Sequence, residues 1–175
     1  MHILFCPDSY KEALSAEQAA EAMARGARKA VPQADIICCP MADGGEGSLE
    51  ALIAATGAKR MSTQVQDALG RPVNATWGWL EAQRTAYIEL AEASGLQQLK
   101  LAERDARITS TYGVGELLLA ALDQGAEHAL LLLGGSATND AGAGMLCALG
   151  ARLLDTKDEM LPQAAPLLKG LQLLI

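Results

Sequence analysis

The stretch HALLLLGGSATNDAGAGMLCALGA, residues 128–151, decides how this chain is read. It opens with an apolar run, Ala129 to Leu133, and breaks at Gly134-Gly135. It then passes through Ser136, Thr138, Asn139 and Asp140 and closes with small residues, Ala141 to Leu149, at the spacing of a packed helix. A short apolar run bounded by glycines and followed by a helical pattern predicts a buried strand, a tight loop and a helix start. In a parallel α/β sheet, ligands sit beyond the carboxyl end of such a strand, where the next helix aims its free N–H groups. Glycines let backbone approach a ligand closely. The hydroxyls, the Asn139 amide and the Asp140 carboxylate supply donors, acceptors and a candidate metal ligand. An ordinary turn needs only one cap, Asn139 or Asp140; four polar residues beside a glycine pair exceed that need.

The same rhythm appears upstream. His2 to Cys6 reads as a buried strand ended by Pro7, with Asp8-Ser9-Tyr10-Lys11 as its loop. Ser15 and Gln18 form a capping-box pattern ahead of a helix from Ala16 to about Ala30. Ala34 to Cys39 reads as a second strand. It is followed by Ala42-Asp43-Gly44-Gly45-Glu46-Gly47 and a helix from about Ser48. Asp43 and Glu46 are of the type that holds Mg²⁺ or accepts a proton; equally, Asp43 is placed to open an Asx turn. Thr109 to Gly115 is a hydroxyl-rich, glycine-punctuated run before another helix.

Between these segments the texture changes. Met61 to Asp67, Val73 to Leu80 and Thr85 to Leu90 read as strands joined by short links, which makes antiparallel hairpins. Trp77 and Trp79 alternate to one face with Ala75 and read as packing residues. The expected organisation is therefore a first part of a Rossmann- or flavodoxin-like parallel α/β lobe over 1–57. A second α/β lobe with antiparallel hairpins follows over 58–110, and further α/β units over 111–175. Arg152 to Leu154 is expected as a strand and Asp155 to Asp158 as a turn. The sequence stops inside an apolar segment at Ile175, so it reads as a truncated chain.

Composition excludes several classes. The net charge is −7 and no basic run exists, which argues against nucleic acid. No segment approaches the length of a membrane span, and no signal-peptide pattern opens the chain. Cys6, Cys38 and Cys147 lie in apolar surroundings and read as small core residues. Four cysteines without a CxxC pair and only two histidines give no zinc pattern, and a reducing cytoplasm is the expected compartment. Neither GxxxxGK[ST] nor GxGxxG occurs, so a nucleotide would bind by another geometry. The loops still carry what phosphoryl transfer requires: backbone donors, carboxylates, one lysine and hydroxyls.

PDSYKEALSA (7–16), ADGGEG (42–47), IELAEASGL (88–96), TYGVGELL (111–118) and GGSATNDAGAGMLCALG (134–150) occur in series. In order and spacing they resemble the glycerate kinase type-1 family. The resemblance implies a two-lobed α/β enzyme that uses ATP with Mg²⁺ to phosphorylate D-glycerate. It places Lys11, Asp8 and Asp43 as catalytic candidates, with Asp8 and Asp43 unranked as base or metal carboxylate. Ser9, Gly44, Gly45, Gly134, Gly135, Ser136, Thr138 and Asn139 are implied as substrate or phosphate contacts, and Asp43 and Asp140 as metal ligands, Asp140 alternatively capping its helix. The chain departs from the family pattern at Tyr10, Glu12 and Ala13, and at Ala141, where glycine is frequent. Family members are roughly twice as long. The alternative is a non-catalytic small-ligand-binding fragment of such a kinase. A homo-oligomer stays open.

Overall fold

The computed structural model describes residues 1–10, 13–154 and 159. Lys11, the turn expected at Asp155 to Asp158 and the closing apolar segment lie outside them. The described residues form a mixed α/β structure with two sheets, one parallel and one largely antiparallel.

The first sheet pairs β1 (His2–Phe5) with β2 (Asp35–Cys38) in parallel, joined by α1 (Ala16–Ala30). The helix begins where the sequence asks it to. The Ser15 hydroxyl accepts from the Gln18 N–H at 3.1 Å, and the Ser15 N–H donates to Gln18 Oε1 at 3.0 Å. Ala19, Ala20 and Ala24 are its buried residues, small enough to let the helix lie close on the strands. Helix α1 covers one face of this sheet, and Leu4 and Ile37 stand 59% and 52% exposed on the other. The expectation of a buried first strand and of core cysteines is corrected accordingly. Cys6 and Cys38 are exposed and Cys147 is half-buried; for Cys6 the reason is that the outer face has no covering layer among the described residues.

The second sheet has the order β3-β4-β5-β6: β3 (Lys59–Gln66), β4 (Pro72–Leu80), β5 (Thr85–Glu89) and β6 (His128–Leu132). The first two pairings are antiparallel and β5 with β6 is parallel. The β3–β4 hairpin turns at Gly70, φ 80°. There the Asp67 carboxylate accepts from Leu69 N–H at 2.8 Å and from Arg71 N–H at 2.9 Å. Helices cover both faces. α4 (Tyr112–Asp123) places Val114 and Leu117 against Ala75, Trp77, Trp79 and Ile88; the two indoles meet edge to face at 6.5 Å. α2 (Ser48–Thr56) places Leu49 and Ile53 against Tyr87 and Leu132. Two shorter helices are α3 (Ala91–Ser94) and α5 (Ala143–Ala148).

Strand β6, expected to be buried, is an edge strand that among the described residues is bonded to β5 alone. His128, Ala129 and Leu130 are exposed, and only Leu132 is buried. Arg152 to Leu154 forms no strand beyond a single bridge residue, Leu154. Among the described residues no helix is long and apolar enough to cross a membrane.

Candidate functional site

The four candidate loops do not leave one sheet edge. Those after β1 and β2 leave the parallel sheet, the loop after β6 leaves the other, and Thr109 to Gly115 follows no strand. Three of them nevertheless converge. A Cβ on Gly134 would stand 2.4 Å from Gly45 Cα and 2.6 Å from Gly45 N, and a Cβ on Gly44 would stand 3.2 Å from the Leu133 carbonyl oxygen. The loop after β2 and the loop after β6 thus pack backbone on backbone. These glycines permit loop-to-loop approach, where the sequence suggested approach to a ligand.

Within the first loop, Asp43 Oδ1 accepts from Gly45 N–H at 2.8 Å, the Asx-turn alternative. Gly44 N–H donates to Ser48 Oγ at 3.0 Å. Asp43 itself is exposed, with one carboxylate oxygen clear of that turn. In the second loop, Ser136 Oγ and Thr138 Oγ1 lie 2.8 Å apart. Thr138 N–H donates to Ser136 Oγ at 3.0 Å. The loop is held from behind: Leu96 N–H donates to Gly135 O and Ala137 N–H to Ser94 O, each at 2.8 Å. Asn139 is exposed.

Asp140 is 2% exposed. Its Oδ2 accepts from Thr111 N–H at 2.8 Å, Thr111 Oγ1 at 2.9 Å and Gly144 N–H at 3.1 Å, and its Oδ1 from Gly142 N–H at 3.1 Å. Three of these donors converge on Oδ2 and one reaches Oδ1. The same bonds take up N–H groups at the start of α5. The Asp140 geometry therefore matches the capping alternative and joins the third loop, through Thr111, to the second. Thr111 and Asp140 are 29 residues apart, and no local pattern pairs them.

Glu89, at the end of β5, stands where the sequence allows a carboxylate facing the cleft between lobes or, more commonly, a solvated one; it is 2% exposed. It accepts from Leu49 N–H at 2.9 Å and Gly47 N–H at 3.3 Å, tying β5 to the start of α2 and to the Asp43 loop. Burial pushes its carboxyl above the ordinary range, opposed by the Leu49 N–H, raised further by the Glu92 charge, and affected less by Gly47 and Glu46. Glu92 accepts from Thr76 N–H at 2.8 Å.

Among the described residues, the loop after β1 stands apart in side-chain contacts. Asp8 and Ser9 are exposed, and Asp8 Oδ1 accepts from its neighbour Ser9 N–H at 2.6 Å. Its backbone adjoins the chain leading to Asp43, since Met41 N–H donates to Pro7 O at 2.9 Å. An open concavity of about 410 Å³ lies here, lined by Phe5, Cys6, Asp8, Ser9, Tyr10 and Met23 among others. Among the described residues no group of three or more His, Cys, Asp or Glu side chains is placed to hold a metal. Mg²⁺ commonly takes one or two carboxylates, the rest of its ligands being water and phosphate. The exposed Asp43 fits that smaller role.

The model of the glycerate kinase family matches residues 3–174. The chain is 49% identical over 155 residues to the glycerate 2-kinase of Escherichia coli (strain K12), covering 89% of this chain and 41% of that one. It is 51% identical over 155 residues to the glycerate kinase of Bacillus subtilis (strain 168), again covering 89% and 41%. A crystal structure assigned as glycerate kinase 2 from Salmonella typhimurium LT2 superposes with a TM-score of 0.77 at 48% identity, covering 94% of this chain and 44% of that one. The chain thus spans about 41% of the length of these curated relatives.

Proposed function

The chain belongs to the glycerate kinase family, and from that premise we propose that it supplies part of the cleft in which ATP phosphorylates D-glycerate. The supporting observation is the contact of the Gly44-Gly45 loop with Gly134. It brings the exposed Asp43 carboxylate onto the same loop cluster as the Ser136 and Thr138 hydroxyls. An exposed carboxylate beside hydroxyl donors and glycine backbone is an arrangement for holding an anion and accepting a hydroxyl proton.

Asp43 is the carboxylate best placed to act, as base at the substrate hydroxyl or as the one protein ligand of Mg²⁺. The metal, when bound with ATP, neutralises charge on the phosphates. Asp8 is the second candidate for either duty. Ser136, Thr138 and the Asn139 amide would hold an anionic group, with Ser9 contributing from the neighbouring loop. Gly44, Gly45, Gly134 and Gly135 set the approach of the two loops. Asp140 keeps that loop in shape through Thr111 and α5. Lys11 would offset negative charge on the substrate carboxylate or on the phosphoryl group. A soluble, cytoplasmic setting follows from the same reading.

The test is ADP release by the purified chain with Mg·ATP, with and without D-glycerate. Glycerate-dependent release that is lost in both Lys11→Ala and Asp43→Asn supports the reading. Binding of Mg·ATP or D-glycerate without release supports the alternative of a ligand-binding fragment. Release that survives both substitutions overturns the residue roles, and absence of binding as well as release overturns the function.

A further inference from the structure

The proposed phosphoryl transfer leaves one pair of reactive side chains unused. The β1–β2 register sets His2 opposite Asp35, Leu4 opposite Ile37 and Phe5 opposite Cys38. The ladder continues beyond the strands, with Cys39 N–H donating to Phe5 O at 2.8 Å and Met41 N–H to Pro7 O at 2.9 Å. Cys6 and Cys39 are therefore the next opposed pair. Side chains alternate across a sheet, so both stand on the face of Leu4 and Ile37, away from α1. The bond between His2 Nδ1 and Asp35 Oδ2 at 2.9 Å lies two pairs along the same face and follows the same rule. Cys38 is on the opposite face, where its thiol donates to the Ala20 carbonyl of α1 at 3.6 Å. Cys6 and Cys39 are exposed and reduced.

We propose that Cys6 and Cys39 form an oxidant-responsive dithiol that closes to an intramolecular disulfide by exchange with a small-molecule disulfide. Paired strands run about 4.7–4.9 Å apart, inside the Cα separation of about 4.4–6.8 Å that a disulfide spans. The register sets the two side chains at directly opposed positions on one face. The Cys39 thiolate bonds to one sulfur of the small disulfide and expels the other as a thiol. The Cys6 thiolate then bonds to Cys39 Sγ and expels the second thiol. Two protein thiols are oxidised, one external disulfide is reduced to two thiols, and the protons pass from the attacking to the leaving sulfurs. Cys6 precedes the Asp8 loop and Cys39 precedes the Asp43 loop, so the closed bridge tethers the bases of both. That consequence rests on the proposed function; the bridge itself does not.

The experiment treats the reduced 175-residue chain with excess oxidised glutathione and weighs the intact product and its non-reducing tryptic digest. The expected result is loss of two hydrogens and a linked pair of peptides, 1–11 and 30–59. The link persists in Cys38→Ser, which removes the neighbour on the other face. Cys39→Ser and Cys6→Ser give glutathione adducts in place of the link. Glutathione adducts alone in the unsubstituted chain, or a link that survives Cys39→Ser, would overturn the proposal. Neither outcome touches the kinase reading, which is measured by ADP release.

Discussion

Ala141 is a residue held where its side chain is least welcome, at φ 52° just before Gly142 at φ 79°. Left-handed backbone costs an L-residue roughly 1–2 kcal/mol, and Ala141 is exposed, so its methyl packs on little. Ala141→Gly should raise unfolding stability by about 1 kcal/mol after the greater entropy of an unfolded glycine is offset. Urea denaturation measures this, and an unchanged or lowered midpoint would refute the strain. Glu89 makes the second residue-level prediction. Its carboxyl is raised by burial, so the native state holds its proton to higher pH than the unfolded chain does. Stability from this group is full below the ordinary carboxylate range and is lost as pH rises through the raised value. Glu89→Gln removes that dependence, so the stability difference between the natural chain and the variant should shrink or reverse as pH rises from about 4 to 8. A difference independent of pH would contradict it. The sequence could not announce either Glu89 or the Thr111–Asp140 pair, because a carboxylate's environment is set by neighbours 29 to 42 residues away. Asp43 was more legible, since its Asx turn is made by Gly45, two residues on.

At the scale of elements, legibility followed locality. Helix α1 is readable at its start because the capping box is written in Ser15 and Gln18. Ser15→Ala should cost about 1 kcal/mol in unfolding stability, with a matching fall in helical circular dichroism at intermediate denaturant. A loss below a few tenths would mean the cap is not needed. The β3–β4 hairpin was equally readable, from Gly70 and the period-two alternation that buries Ala75, Trp77 and Trp79. Strands β1 and β6 are legible as strands, but their exposure is not. An apolar run states that a strand can be buried, not which layers reach it. The grouping of strands was less legible still. The β6 strand pairs with β5 across a connection that includes α4, a choice made by long-range packing. The convergence of three loops survived this, because Gly134 on Gly45 and Thr111 on Asp140 join them by direct contact rather than by a shared sheet edge.

At the scale of the whole molecule, the two sheets leave apolar surface open. Leu4, Ile37, Leu130 and Leu133 are 59%, 52%, 46% and 67% exposed. Among the described residues, both strands of the parallel sheet have an unpaired edge, and β6 has one as well. Unpaired edges carrying leucine favour pairing with another chain. The net charge of −7 works against this by mutual repulsion. The two forces answer salt in opposite ways. Salt screens repulsion between like-charged copies and leaves apolar contact intact. The chain should therefore associate with rising concentration, and more strongly at about 0.5 M salt than at about 0.05 M. Leu130→Lys places a charge on the β6 edge at a position already half exposed, so it should weaken association while leaving the melting temperature nearly unchanged. Light scattering over a concentration series reads both effects. Association that weakens with salt would mean ionic contacts drive it, and a monomer at every concentration would mean that these strands, though open, are not adhesive.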